Sequence, residues 1–203
     1  VYVPGEPRVT YEKVKPAMVK NILNDHIVGG KVFKKAAAKE DYYETLKKQT
    51  RVALEHSGSI DPENIDEYIG VGGYESLKKV LQTMKSDEVI AEVKKSGLRG
   101  KGGGGFVTAT KWEKAAKAPT DAKGTRYIMV NGDEGNPASY MDRSIMEGNP
   151  HQVIEGLLIG AYAIGATAGI IYTRSDYSIA VRRLNKALEQ ARERGFLGDK
   201  IMG

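Results

Sequence analysis

The chain has 203 residues, 40% hydrophobic and 28% charged, enough for one large domain or two small ones around an apolar core. With no cysteine and three unpaired histidines, at positions 26, 56 and 151, it excludes disulfides, thiol catalysis and an ordinary iron–sulfur cluster within these residues, and it argues against a zinc site. The net charge of +5 equals the excess of one segment, where Arg99, Lys101, Lys111, Lys114, Lys117, Lys123 and Arg126 meet only Glu113 and Asp121; such a cluster suits a phosphate-bearing ligand better than a nucleic-acid track, and otherwise reads as a solvated loop.

Residues 1–38 read as a strand or loop followed by a helix. The helix is expected over Tyr11–His26, with Val14, Met18, Ile22 and Leu23 at helical spacing and Gly29-Gly30 as its stop. Nothing before it has the apolar stretch of a signal peptide. The chain opens without Met and closes at Gly203 just after a helix, so a processed chain or a fragment is expected. Val32-Phe33 suits a short strand, and Lys34–Glu44 a linker. From Asp61-Pro62 a short helix is expected to run through Tyr68. Gly72-Gly73 breaks it, and a second helix covers Tyr74–Met84. Ser86 is placed as the N-cap of a third, with Asp87 and Glu88 in its first turn, Val89, Ile90 and Val93 on one face, and Gly97 at its end.

The second half alternates strand and helix. Arg126–Asn131 is a short β-favouring run, expected to be a buried strand, with a polar loop reaching Asn149. Pro150–Ala166 is a helix, Ala168–Arg174 a strand, and Asp176–Arg194 an amphipathic helix stopped by Gly195. This order implies a parallel α/β sheet. Gly156–Thr173 is uncharged, but glycines at 156, 160, 165 and 169 and the strand-like GIIYT favour a buried helix, turn and strand over a membrane span.

The most informative stretch is Gly97-Leu98-Arg99-Gly100-Lys101-Gly102-Gly103-Gly104-Gly105-Phe106, with five glycines in the six residues from Gly100 to Gly105. Ordering such a run is entropically expensive and fits a backbone that must approach a ligand or converge its N–H groups on an anion. A flexible linker is the alternative, against which stand the flanking helices, Arg99 and Lys101. Gly100, Gly102 and Gly105 match G-x-G-x-x-G, but a helix precedes the run, and Asp121 in a basic stretch is the only acidic residue about 20 positions on. A Walker A loop fails too, because Gly102 follows Lys101. Thr108 or Thr110 is expected to cap a helix beginning near Lys111, whose N-terminus and ammonium group favour an anion. Trp112 reads as a core or rim residue.

Asn131-Gly132-Asp133-Glu134-Gly135-Asn136-Pro137 follows the first strand, at the sheet edge where open α/β folds bind ligands. Its carboxylates would repel a phosphate, so ring nitrogens, sugar hydroxyls or a carboxamide are the fitting partners. An ordinary Asn-Gly-Asp turn is the other reading. His151 reads as a helix-start residue.

Three ordered blocks, Gly97–Trp112, Asn131–Glu134 and Asp142–His151, resemble the flavin subunit of NADH:quinone oxidoreductase, the 51 kDa subunit of complex I. Relatives in NAD(P)-linked hydrogenases and formate dehydrogenases share the pattern. The similarity extends through Gly198, and upstream through Ile60–Tyr68. The resemblance implies an α/β fold: a Rossmann-like parallel-sheet FMN-binding domain, preceded by a helical segment and the tail of a thioredoxin-like domain. In residues, 1–38 would be that tail and linker, 39–97 the helical part, and 98–203 the FMN- and NADH-binding domain, incomplete at its C-terminus. The function implied is that of a diaphorase module, in which hydride passes from NAD(P)H to FMN and electrons leave singly to iron–sulfur clusters.

The cofactors implied are FMN and NAD(P)H, with 4Fe–4S and 2Fe–2S clusters in a full-length protein or partner subunits and none in this chain. Gly100, Lys101, Gly102, Gly103 and Lys111 would hold the flavin phosphate and ring edge, and Asn131, Asp133 and Glu134 its polar groups. Phe106 would lie against the nucleotide, and Asn136 near the nicotinamide end. No side chain is needed as catalytic acid or base. Partners implied are iron–sulfur electron-transfer subunits, with neither nucleic acid nor direct membrane insertion, in the cytoplasm or peripheral to a membrane complex. Relative to the family pattern, Lys101 stands for arginine, Gly104 for alanine, Val107 for proline and Asn136 for an acidic residue. The family's later Cys-Gly-Glu-Glu segment and cluster cysteines are not among these residues, so the isolated chain is expected to be inactive. The alternative function is a non-catalytic remnant or assembly fragment of the same fold that binds no flavin.

Overall fold

The computed structural model describes residues 1, 3–136 and 138–202 and divides into two compact units, residues 1–52 and 53–203. In the first unit the expected helix over Tyr11–His26 begins later, as α1 (Pro16–Asn21), and continues as a π-helical turn over Ile22–Val28. Pro16 lacks the N–H that an earlier start would need bonded, and it occupies the first helical position. Tyr11 instead forms a bridge with Ala37, and its hydroxyl accepts the Phe33 N–H and meets His26 Nδ1 at 2.8 Å. The strand expected at Val32-Phe33 does not form. Part of the supposed linker is helical, as α2 (Glu40–Lys47).

The second unit opens with three helices. α3 (Ile65–Gly70) starts four residues after Asp61, because Asn64 caps it by accepting the Asp66 N–H at 3.0 Å. α4 (Glu75–Thr83) follows the Gly72-Gly73 break. Gly73 is required there: a Cβ on it would stand 2.2 Å from the Tyr68 ring. α5 (Ser86–Ser96) has Ser86 as its first helical residue rather than its cap. Glu88 reaches back to accept the Lys85 N–H at 2.7 Å, and Gly97 ends the helix in the left-handed region.

The α/β part comprises α6 (Thr108–Lys117), β1 (Tyr127–Gly132), α7 (Met141–Gly148), α8 (Pro150–Ile164), β2 (Ala168–Thr173) and α9 (Ser178–Glu193). β1 and β2 pair in parallel, from Tyr127 beside Ala168 to Gly132 beside Thr173, the α/β architecture expected from the order of elements. α8 begins at Pro150 behind an Asn149 cap and ends at Gly165 in the left-handed region. Gly160 lets it lie close to its neighbours, since a Cβ there would meet Ile128 at 2.6 Å and Trp112 at 3.1 Å.

Three apolar clusters hold this unit together. Ile65, Tyr68, Tyr74 and Leu77 pack on Ile154, Leu158, Ala187 and Ala191. Val80, Val89, Ile90 and Ala109 gather around Ala163 with Trp112 alongside, and Met146 packs with Tyr177, Ala180 and Leu184. Two expectations for the α/β part also need correction. β1 is not a buried strand: Tyr127 and Met129 are exposed, as are Ile170 and Tyr172 on β2. Register puts Met129 beside Ile170 and Asn131 beside Tyr172, so these residues share one face of the sheet while the other packs on helices. The expected polar loop before Asn149 also contains α7. No helix among the described residues is long and apolar enough to cross a membrane.

Candidate functional site

The glycine run folds into a hairpin between α5 and α6. The Thr108 N–H donates to Leu98 O at 2.9 Å, the Gly100 N–H to Phe106 O at 2.8 Å, and Arg99 pairs with Val107 between them. The tip over residues 101–105 needs positive φ at Gly103 (95°) and Gly105 (57°). A Cβ added at any of Gly102, Gly103, Gly104 or Gly105 would meet nothing within 4 Å, so the tip stands in open space. Among the described residues, the N–H groups of 101–105 make no hydrogen bond. Arg99 folds back on the hairpin, donating to Gly105 O at 3.0 Å.

Lys111 closes the base of this hairpin. Its Nζ lies 3.1 Å from where a Gly100 Cβ would stand, and 6.0 Å from the centre of the Phe106 ring. α6 starts three residues earlier than expected, and neither Thr108 nor Thr110 caps it. The cap position is Val107, which has no side-chain acceptor. The first-turn N–H groups of Ala109 and Thr110 therefore have no partner among the described residues. Ala109 is buried in the core, so the Thr110 N–H, the positive end of the helix and the Lys111 ammonium group form the anion-binding arrangement.

The turn after β1 is tied up locally. Asn131 Oδ1 accepts the Asp133 N–H at 2.9 Å, and Asn136 Oδ1 accepts the Ala138 N–H at 3.2 Å. Glu134 is 5% exposed, and its carboxylate accepts the Met141 N–H at 2.5 Å and the Arg143 N–H at 3.1 Å. It thus caps α7, which Tyr140 enters in the left-handed region. Asp142 lies beside it. Burial, and then the Glu134 charge, raise the Asp142 carboxyl above its ordinary value.

Sequence reasoning missed a group of cations and rings at this end of the sheet. The Arg143 guanidinium lies 5.2 Å from the Tyr177 ring centre and Arg174 lies 5.5 Å from it. Arg143 pairs with Glu147 at 2.8 Å, and Arg174 grips Asp176 through two contacts of 2.9 Å. That grip holds the Asp176 carboxyl below its usual range, and the nearby Asp133 charge adds to the stabilisation of the Arg174 cation. The available signal was position, for Arg174 directly follows β2. The structure thus brings Gly100, Phe106 and Lys111 together, and separately Asn131, Asp133 and Glu134. No hydrogen bond, ion pair or ring contact links the two groups among the described residues.

Residues 93–202 match the family described as the Nuo51 FMN-binding domain. The NADP-reducing hydrogenase subunit HndC of Solidesulfovibrio fructosivorans is 52% identical over 159 residues, which is 78% of this chain and 31% of that protein. An NADH-quinone oxidoreductase subunit of Aquifex aeolicus is 46% identical over 140 residues, 69% of this chain and 32% of that protein. The chain thus spans about a third of the length of these relatives. A crystal structure of an NAD+-reducing [NiFe]-hydrogenase in the H2-reduced state shares the fold, with a TM-score of 0.52 at 24% identity over 89% of this chain and 29% of that one. With more than half of its residues matched, the chain belongs to the Nuo51 FMN-binding domain family.

Proposed function

We propose that this chain supplies the phosphate-binding hairpin and the acidic turn of an FMN site in an NAD(P)H dehydrogenase module. The observation that carries the reading is the open glycine tip, with Lys111 at its base and the uncapped start of α6 behind it. These groups suit a phosphate monoester: several N–H donors, room for close approach and one full positive charge. Gly100, Lys101, Gly102, Gly103 and Lys111 would take the phosphate and the near ring edge. Asn131 and Asp133 would meet the polar groups of the flavin, and Glu134 would join them through the Oε1 lone pair that Met141 leaves free, since Oε2 already accepts from the Arg143 N–H and the Tyr177 hydroxyl. Phe106, exposed beside the tip, offers a face for a nucleotide ring.

FMN, when bound, supplies the hydride-accepting and one-electron chemistry. The chain's own residues bind and orient it. No acid or base is required of them. Iron–sulfur subunits are the natural electron acceptors for such a module, and residues 98–203 are the part that would carry the flavin and nucleotide contacts. Asn136, where the family pattern is acidic, removes a negative charge that would repel the 2′-phosphate of NADPH.

The test compares FMN with riboflavin, which lacks the phosphate, by fluorescence titration of the whole chain. FMN is expected to bind more tightly, and Lys111→Ala to remove about tenfold or more of that preference, as a lost charge-assisted hydrogen bond implies. Equal binding of the two flavins, or a preference untouched by Lys111→Ala, would overturn the reading.

A further inference from the structure

A second polar assembly is built on α8 from residues that the flavin reading leaves unused. His151 and Glu155 are four residues apart and share a face of the helix, at 1% and 7% exposure. Glu155 accepts the Tyr68 hydroxyl at 2.5 Å, the Tyr74 N–H at 2.9 Å and the Leu77 N–H at 3.0 Å. The last two donors belong to the start of α4, which has no side-chain cap of its own. A carboxylate from α8 therefore caps α4.

His151 extends this tie. Its Nδ1 lies 2.9 Å from the Tyr74 hydroxyl and its Nε2 lies 3.1 Å from Gln190 Oε1 on α9. Gln190 spends its NH2 on Glu63 O at 2.9 Å, so the oxygen facing the ring requires a donor there. Nε2 accordingly carries a proton, and because burial holds His151 below its ordinary value the ring is neutral at pH 7, with Nδ1 accepting from Tyr74. A second proton, on Nδ1, would oblige the Tyr74 hydroxyl to turn and accept, giving up the acceptor it has now, and would place a full charge on a ring that is 1% exposed. The Tyr68 ring stacks on the imidazole at 5.7 Å.

The titratable groups facing the imidazole are Tyr68 from α3, Tyr74 from the turn before α4, and Glu155 from α8 itself. α9 presents neutral Gln190, and the Glu63 carboxylate beyond it is held by Arg182, Arg183 and Lys186. Burial and the Glu155 charge push both tyrosines up, so they stay protonated, and burial pushes His151 down.

We propose that His151 and Glu155 form a pH-gated clasp: at neutral pH they hold residues 60–84 on α8 and α9, and protonation of His151 releases that segment while the sheet stays formed. The sign follows from linkage. The closed form resists a proton that the open form accepts at an ordinary value near 6.5, so closure is favoured above that pH and weakens below it.

Amide hydrogen exchange on the whole chain at pH 7.5 and 5.5, corrected for intrinsic rates, tests this without flavin, so its outcome is separate from that of the flavin reading. The opening constants of the Tyr74 and Leu77 amides should rise about tenfold at the lower pH, the effect of one proton on such a group. Those of β1 and β2 should not change, and His151→Gln should abolish the rise. A rise shared equally by the sheet, no rise, or a rise retained in His151→Gln would each overturn the proposal. Should His151→Gln not fold, the contrast between Tyr74, Leu77 and the sheet in the unsubstituted chain decides by itself.

Discussion

The ammonium group of Lys111 occupies the space beside Gly100 that a side chain there would take, 3.1 Å from the ideal Cβ position. This placement puts the charge of α6 beside the base of the hairpin. Gly100→Ala would press only on the flexible end of a lysine, at a residue whose φ is not positive. We expect its melting temperature to stay near that of the parent chain while its preference for FMN over riboflavin falls several-fold. Parallel thermal melts and flavin titrations check this; an unchanged flavin preference would show that the position of Lys111 does not matter.

Gly73→Ala should behave in the opposite way. Its Cβ would stand 2.2 Å and 2.3 Å from Tyr68 ring atoms and 2.6 Å from the Tyr68 carbonyl oxygen, and backbone cannot move aside as a lysine can. Overpacking of this kind costs roughly 1–3 kcal/mol. Urea denaturation should show the lower midpoint, and a midpoint equal to that of the parent chain would count against the close packing of this turn on Tyr68.

Glu134 holds α7 by accepting two of its first N–H groups. Glu134→Ala removes that cap and should lower stability by about 1–2 kcal/mol, the range for a lost helix cap. Exchange protection should fall first in Met141–Gly148. Loss spread evenly over the second unit would argue that Glu134 supports more than α7.

Asp142 supplies a pH signature of its own. Its carboxyl is raised, first by burial and then by Glu134. A raised carboxylate adds stability below its unfolded value, near 3.9, and loses it as pH rises through the folded value. The charged form at neutral pH is therefore the strained one. Asp142→Asn should melt higher than the parent at pH 7, with the gap closing toward pH 3. Melts across that range check it, and a lower melting temperature for Asp142→Asn at pH 7 would refute it.

Asn136→Asp should shift nucleotide preference toward NADH by several-fold, because a carboxylate there would repel a 2′-phosphate. Binding of NADH and NADPH to the flavin-loaded protein reports the ratio, which should not move if this turn lies apart from the nucleotide.

Much of the fold was legible because its signals are local. The apolar runs before Asn131 and Arg174 marked β1 and β2, and the helix expected between them implied parallel pairing, which holds although α7 also lies between them. Pro150 starts α8, Gly97 ends α5 and Gly195 follows α9, each by backbone chemistry confined to a few residues, although α8 stops at Gly165 rather than running on to Ala166. The glycine run stood out because five glycines in six residues need a reason beyond propensity, whereas its hairpin pairing of Leu98–Gly100 with Phe106–Thr108 did not show in the sequence.

What the sequence determined by itself, then, is the alternation of strand and helix in the second half, the parallel pair of strands and the basic glycine run with Lys111 just beyond it. Tertiary structure alone decided the rest. Glu134 caps a helix starting seven residues later, Glu155 caps one about eighty residues earlier, and His151 is a buried hub between Tyr74 and Gln190. One face of the sheet stays open although its strands read as buried. The physical reason is range: propensities, turns and caps act over a few residues along the chain, whereas the burial of a strand or the partner of a carboxylate depends on which distant surfaces pack together.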